Sequence, residues 1–137
     1  MANDPEITRK MWLFGEKAGI AFQIRDDLFD FGDADVGKPL GIDIKEKKMT
    51  LPLIYTLHHA DRTLRRQLIN IVKNESHKPE KVREVIQCVR NSGGIPYSTE
   101  KMEAYRQEAL DILLQFPESP ARQALADLLM FVTDRKS

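Results

Sequence analysis

Residues 22–44, FQIRDDLFDFGDADVGKPLGIDI, join an apolar helical pattern to a segment rich in aspartate and glycine. Asp26 and Asp30 are four residues apart and share one face of a helix, while Asp27 lies three residues before Asp30 and close to that face. Gln23 stands one turn earlier on the same face. Carboxylates stacked at the C-terminal end of a helix repel one another and oppose the helix dipole. From spacing alone, the stretch indicates either a solvated helix end or a site for a divalent cation.

The sequence around this stretch predicts an all-α fold of about six helices and one long loop. Asp4 and Pro5 are typical of a helix start, and the apolar spacing predicts a first helix from Glu6 to about Phe31. The loop is predicted from about Gly32 to Met49, and loops of this length in compact domains are usually functional. Later helix starts are indicated at Thr50, Asp61, Pro79, Ser98 and Ser119, and GGIPYST before the fourth of these is predicted to be a turn. No part of the sequence alternates as a strand would.

The composition fits one domain of ordinary size with a real core. The chain has 137 residues, 42% of them apolar, and its 21 acidic and 21 basic residues balance. No global charge therefore indicates binding to nucleic acid or to an anionic membrane. The single cysteine, Cys88, cannot form an internal disulfide, so a cytoplasmic setting is expected. No apolar run approaches the roughly 20 residues of a membrane-spanning helix, and the N-terminus lacks the apolar region of a signal peptide.

The carboxylates at the end of the first helix offer the oxygen ligands that Mg²⁺ prefers. This ion keeps several waters and shares its coordination shell with substrate phosphates. Lys38 and Lys48 belong to the loop after the helix, and ammonium groups there suit a diphosphate bound to the metal. Two solvated lysines are the alternative.

Two other phosphate and metal motifs fail on inspection. The run GDADVGKP has the glycine and lysine spacing of a Walker A loop, but Pro39 follows the lysine and a helix rather than a strand precedes the loop. A calcium-binding loop that starts at Asp33 would carry Ile44 where a glutamate is required.

Three stretches taken together, GIAFQIRDDLFDF, GKPLGIDI and EKKMTLPLIYTL, resemble the trans-isoprenyl diphosphate synthase (polyprenyl synthetase) family. Residues 23–30 read Q-x-x-D-D-x-x-D and are similar to the second aspartate-rich motif of that family. The other two stretches follow at the distance usual in the family, and the tail from GGIPYST onward looks like its C-terminal helices. The resemblance spans essentially all of residues 1–137 and implies the C-terminal portion of a polyprenyl synthetase domain, which is half of an isoprenoid-synthase helical bundle.

The resemblance implies a prenyltransferase that condenses isopentenyl diphosphate with an allylic diphosphate and uses Mg²⁺. It assigns the metal ligands to three carboxylates, Asp26, Asp27 and Asp30. It places Asp43 next to these ligands, where it would support them without binding the metal itself. It assigns the contacts with the diphosphate and the isoprenoid chain to four further residues: Phe22, Gln23, Lys38 and Lys48.

The sequence departs from the family because the first aspartate-rich motif and the arginines that follow it are absent. We therefore expect a C-terminal fragment that is inactive by itself. Apolar surface that normally faces the absent half predicts a homo-oligomer. Two other functions stay open, namely a non-catalytic helical subunit or dimerisation module of such a synthase and a fragment of a class I terpene cyclase.

Overall fold

The computed structural model describes residues 4–32 and 41–134. All regular structure within these two ranges is helical, which confirms the all-α prediction. The helices are α1 (Pro5–Phe29), α2 (Ile42–Lys45), α3 (Leu51–His59), α4 (Arg62–Asn74), α5 (Pro79–Ser92), α6 (Gly94–Leu113) and α7 (Pro120–Asp134). None of them combines the length and the apolarity that a crossing of a lipid bilayer requires.

Most helix starts lie where the sequence predicts them. The Asp4 carboxylate accepts the N–H of Glu6 at 2.9 Å, and the Asp61 carboxylate accepts the N–H of Leu64 at 2.8 Å. These bonds satisfy amide groups that have no partner inside the helix. Thr50 also precedes a helix, but its hydroxyl makes no capping hydrogen bond.

The structure differs from the prediction at both ends of the long loop. α1 ends at Phe29, about two residues early, because the N–H groups of residues 30–32 donate to carbonyls three residues back, as in a tighter 3₁₀ turn. The predicted loop also contains the short helix α2, so the described residues hold seven helices rather than about six.

The start of α6 is a second difference. The prediction of a turn over GGIPYST was wrong, because α6 already begins at Gly94. Pro96 falls in the first turn, where its missing N–H leaves no helical bond unmade. A β-carbon at Gly94 would lie 2.7 Å from the carbonyl oxygen of Pro52 on α3, so glycine permits a close contact between these helices.

The helices form two compact units. The terminal unit comprises residues 4–25 and 100–134 among those described, and its core contains four buried side chains: Phe14, Ala109, Leu113 and Leu129. The central unit comprises residues 26–32 and 41–99. Its larger core joins α3, α4 and α5 through buried aliphatic residues that include Leu53, Leu68, Val85 and Val89.

Candidate metal and diphosphate site

The carboxylate-bearing end of α1 belongs to the central unit. Asp26 and Asp27 are half-buried and Asp30 is fully buried. A buried carboxylate is stable only when hydrogen bonds replace its lost water. Asp30 Oδ1 accepts the N–H of Asp43 at 3.0 Å. Its backbone carbonyl accepts the N–H of Gly41 at 3.0 Å. Asp30 therefore holds the start of α2 through both its side chain and its main chain.

Gly41 allows the chain to approach α5 closely at this point. Its φ of 79° lies in the left-handed region that glycine adopts readily. A β-carbon at this position would overlap the side chain of Val82. The sequence GIDI therefore needs its glycine to seat α2 against α5.

The segment between α2 and α3 folds back so that Lys48 contacts Asp43. The carbonyl of Asp43 accepts the N–H of Lys48 at 2.8 Å, and Lys48 Nζ lies 3.8 Å from Asp43 Oδ1 and 3.5 Å from Glu46 Oε1. Farther along, the N–H of Leu51 donates to Asp27 Oδ2 at 3.3 Å. The first turn of α3 is thus tied to the carboxylate cluster as well.

Four of the eight site residues predicted from the sequence are connected within the central unit. Hydrogen bonds and ion contacts join Asp27, Asp30, Asp43 and Lys48 through the α2–α3 segment. Asp26 is half-buried one residue before Asp27. The three remaining predicted residues are placed otherwise: Phe22 and Gln23 are exposed residues of the terminal unit, and Lys38 lies outside the described residues.

The described carboxylates do not form a metal cage by themselves. Among the residues that the structure describes, no three Asp, Glu, His or Cys side chains stand close enough together to hold a metal ion. Mg²⁺ is commonly bound by one or two carboxylates and completes its shell with water and phosphate oxygens. The donor chemistry at the end of α1 fits that mode of binding.

The sequence does not mark two further residues as belonging to the site. The Arg90 guanidinium on α5 donates through Nε to the carbonyl of Phe31 at 2.9 Å and holds the turn after α1. Arg90 lies 59 residues after Phe31 in the sequence, so no local sequence pattern indicates this contact. Thr50 is buried, and its hydroxyl has no hydrogen-bond partner among the described residues. This buried polar atom lies next to Leu51, which binds Asp27.

Comparison with known proteins identifies the family. Residues 1–89 match the family model described as Polyprenyl synthetase. The chain is 33% identical over 134 residues to the chloroplastic solanesyl diphosphate synthase 2 of Arabidopsis thaliana, covering 96% of this chain and 31% of that protein. It is 34% identical over 137 residues to the all-trans-nonaprenyl-diphosphate synthase (geranyl-diphosphate specific) of Rhodobacter capsulatus, covering 98% and 42%. The chain therefore spans well under half the length of these relatives.

Solved structures agree with the family model. A geranylgeranyl pyrophosphate synthase from Bacteroides thetaiotaomicron superposes with a TM-score of 0.85 at 36% identity, covering 96% of this chain and 44% of that one. A polyprenyl synthase from Caulobacter crescentus, complexed with calcium and isoprenyl diphosphate, gives a TM-score of 0.85 at 25% identity, covering 99% and 42%. With the family model matching residues 1–89 of 137, this chain belongs to the polyprenyl synthetase family.

Proposed function

We propose that the chain supplies the second aspartate-rich half of a prenyltransferase active site, in which isopentenyl diphosphate extends an allylic diphosphate. The observation that carries this proposal is that the segment from α2 to the start of α3 is tied to the carboxylate-rich end of α1. Asp30 accepts the N–H of Asp43, which lies beside Lys48, and Asp27 accepts the N–H of Leu51. Named relatives that are solanesyl and nonaprenyl diphosphate synthases support the reaction class.

Mg²⁺ is the proposed metal. One or two of the carboxylates Asp26, Asp27 and Asp30 would hold it, and water and phosphate oxygens would complete its coordination shell. When bound, it would neutralise the charge that develops on the departing diphosphate. The Caulobacter crescentus relative is complexed with calcium and isoprenyl diphosphate, which supports a proposed site for a divalent cation and a diphosphate.

The chain's own residues would bind and orient the diphosphate. The Lys48 side chain is 62% exposed, so its ammonium group is accessible to phosphate oxygens, for which a compact point charge is well suited. Asp43 would position Lys48 and hold Asp30 in place through its N–H. Lys38 is proposed for a second contact with the diphosphate.

Phe22 is proposed, from the resemblance, to border the isoprenoid chain, and Gln23 to contact the diphosphate and the start of that chain. Association into homo-oligomers and a cytoplasmic location belong to the same proposal. They are supported by exposed aromatic side chains such as Trp12 and by a single cysteine.

Thermal unfolding with and without ligands tests the site directly. A ligand that binds only the folded chain raises the melting temperature by mass action. We expect Mg²⁺ and inorganic diphosphate together to raise it more than either does alone, because each completes the binding site of the other. The variant Asp26→Asn should lose the response to Mg²⁺ and keep the parent's melting temperature without ligand. Asp30 is a poorer choice because it is buried and holds α2.

The matched controls are Asp111→Asn on α6 and Asp127→Asn on α7. Each of these exposed carboxylates accepts a hydrogen bond from a glutamine four residues earlier. Both variants should respond to Mg²⁺ and diphosphate as the parent does. A parent chain that ignores the two ligands together, or an Asp26→Asn chain that responds fully, would refute the proposed site.

A further inference from the structure

The exposed face of α4 carries a row of cations. The helix, RTLRRQLINIVKN, has four basic residues and no acidic one. Its buried side chains include Leu68 and Ile71, and the side away from them presents Arg62, Arg66, Ile69 and Lys73. Their spacing of four, three and four residues places them on one face. Arg65 is occupied elsewhere, because its guanidinium donates to the carbonyls of Leu57 and Ala60.

An apolar cavity opens beside this row, wholly within the central unit. It has a volume of about 470 Å³, and its lining consists of Lys47, Met49, Leu57, Ile69, Val72 and Lys73. Met49 is 52% exposed and Ile69 is 36% exposed. The only charged groups in this lining are two lysines. We call the exposed residues of the row and the cavity the α4 surface: Lys47, Met49, Arg62, Arg66, Ile69 and Lys73.

The carboxylates nearest in sequence are engaged elsewhere. Asp61 caps α4 by accepting the N–H of Leu64. Glu46 pairs with Lys48 at 3.5 Å, and Glu75 pairs with Lys78 at 3.0 Å. Within the described part of the chain, no ion pair neutralises the four cations of the α4 surface. Their charge is therefore available to a partner.

We propose that the α4 surface docks on an anionic phospholipid bilayer. A bilayer interface offers anionic headgroups above apolar chains, which matches cations placed around Met49 and Ile69. A free phosphate would engage the cations and leave the apolar cavity in water. The balanced charge of the whole chain does not oppose docking, because charges act over only about 10 Å at moderate salt. The inference goes beyond the proposed prenyltransferase function and does not depend on it.

Co-sedimentation of the full 137-residue chain with lipid vesicles tests the inference. We expect binding to phosphatidylcholine vesicles that contain phosphatidylglycerol, loss of binding as salt rises, and no binding to pure phosphatidylcholine. Each basic residue near an anionic surface strengthens partition by roughly fivefold. The double variant Arg66→Glu, Lys73→Glu should therefore bind at least about 25-fold more weakly than the parent.

The variant Ile69→Asn tests the apolar part separately. It should weaken partition at every salt concentration and leave the salt dependence unchanged, because no charge is altered. All three substituted side chains are exposed, and urea unfolding confirms that each variant is folded before its binding is measured.

A matched control reverses the same number of charges elsewhere in the central unit. Lys45 and Arg83 are exposed and line a different cavity with Pro79 and Val82. The double variant Lys45→Glu, Arg83→Glu should stay within a few-fold of the parent. Equal loss in this control would show that net charge alone drives binding and would overturn the inference. An absence of binding to anionic vesicles would also overturn the inference. The same holds if the Arg66→Glu, Lys73→Glu variant binds vesicles as the parent does and differs only in self-association.

Discussion

Lys47 is the one non-glycine residue with a positive φ in the part of the chain that the structure describes, at 62°. A side chain in this left-handed conformation costs roughly 1–2 kcal/mol. The strain arises in the turn where the Lys47 N–H donates to Ile44 and the Lys48 N–H donates to Asp43. This turn brings Lys48 back to the carboxylate cluster, so a strained backbone lies directly beside the candidate site.

The substitution Lys47→Gly should therefore stabilise the fold. Glycine removes the left-handed strain but adds entropy to the unfolded chain, which leaves a net gain of about 0.5–1 kcal/mol in the free energy of unfolding. Urea unfolding measures this gain, and the slope of the unfolding free energy against urea concentration should stay unchanged. Lys45→Gly in α2 is the control and should cost about 1 kcal/mol, because glycine weakens a helix. A loss of stability in Lys47→Gly would contradict the strain argument.

The sequence was informative at this scale where a residue acts on its neighbours. The capping roles of Asp4 and Asp61 were predicted correctly. The structure adds that Cys88 is partly buried against the core of the central unit. Burial raises the pKa of that thiol, and the charge of Glu84 adds to the effect. The buried hydrogen bond from Asp43 to Asp30 was not predictable, because the two residues are thirteen positions apart in the sequence and no local pattern joins them.

At the scale of elements, α1 has two glycines on an open face. Gly15 and Gly19 are exposed, and a β-carbon at either position would meet no atom within 4 Å. Nothing in the described chain therefore requires glycine there. In contrast, Gly41 combines a positive φ with a close approach to Val82.

These environments predict opposite effects of one substitution. Gly15→Ala and Gly19→Ala should each raise the free energy of unfolding by about 0.5–1 kcal/mol, since alanine favours the helix and meets no obstacle. Gly41→Ala should lower it by about 1–3 kcal/mol, because the methyl group overlaps a packed side chain. Thermal and urea unfolding of the three variants give the comparison. A destabilising Gly15→Ala would mean that the face is already covered in solution, for example by a second copy.

The helices themselves were largely predictable, because apolar periodicity and caps are local. The start of α6 was not, since glycine and proline signal a turn when read alone. The close contact of Gly94 with Pro52 decides the outcome there. In the same way α2 forms because Asp30 holds the residues that precede and begin it.

At the scale of the whole molecule, the chain spans only 31% to 42% of the two relatives compared above. We predict that the purified chain does not incorporate labelled isopentenyl diphosphate into an apolar product with an allylic diphosphate and Mg²⁺. The half-site that we propose cannot align two substrates alone, and misplacement costs orders of magnitude in rate. The octaprenyl diphosphate synthase of Escherichia coli, 29% identical over 134 residues, serves as the positive control. Measurable turnover by this chain would contradict the prediction.

Family and fold class were accessible from the sequence because the aspartate motif and the two lysine-bearing stretches occur together at a characteristic spacing. The division into two units was not, because it depends on which helices share a core. The composition likewise gave no indication of the α4 surface. The 21 acidic and 21 basic residues cancel in the net charge, but the composition does not say where along the chain the basic residues gather.

The course of α1 through the two units has a consequence for local unfolding. Its first turns, residues 5–9, are exposed in the terminal unit, whereas Leu28 in the central unit is fully buried. Opening of a few turns is easiest where buried contacts are few. One helix therefore holds a readily opened segment and a resistant one. The turn with Asp26 and Asp27 belongs to the resistant segment, which keeps these carboxylates oriented before any ligand arrives.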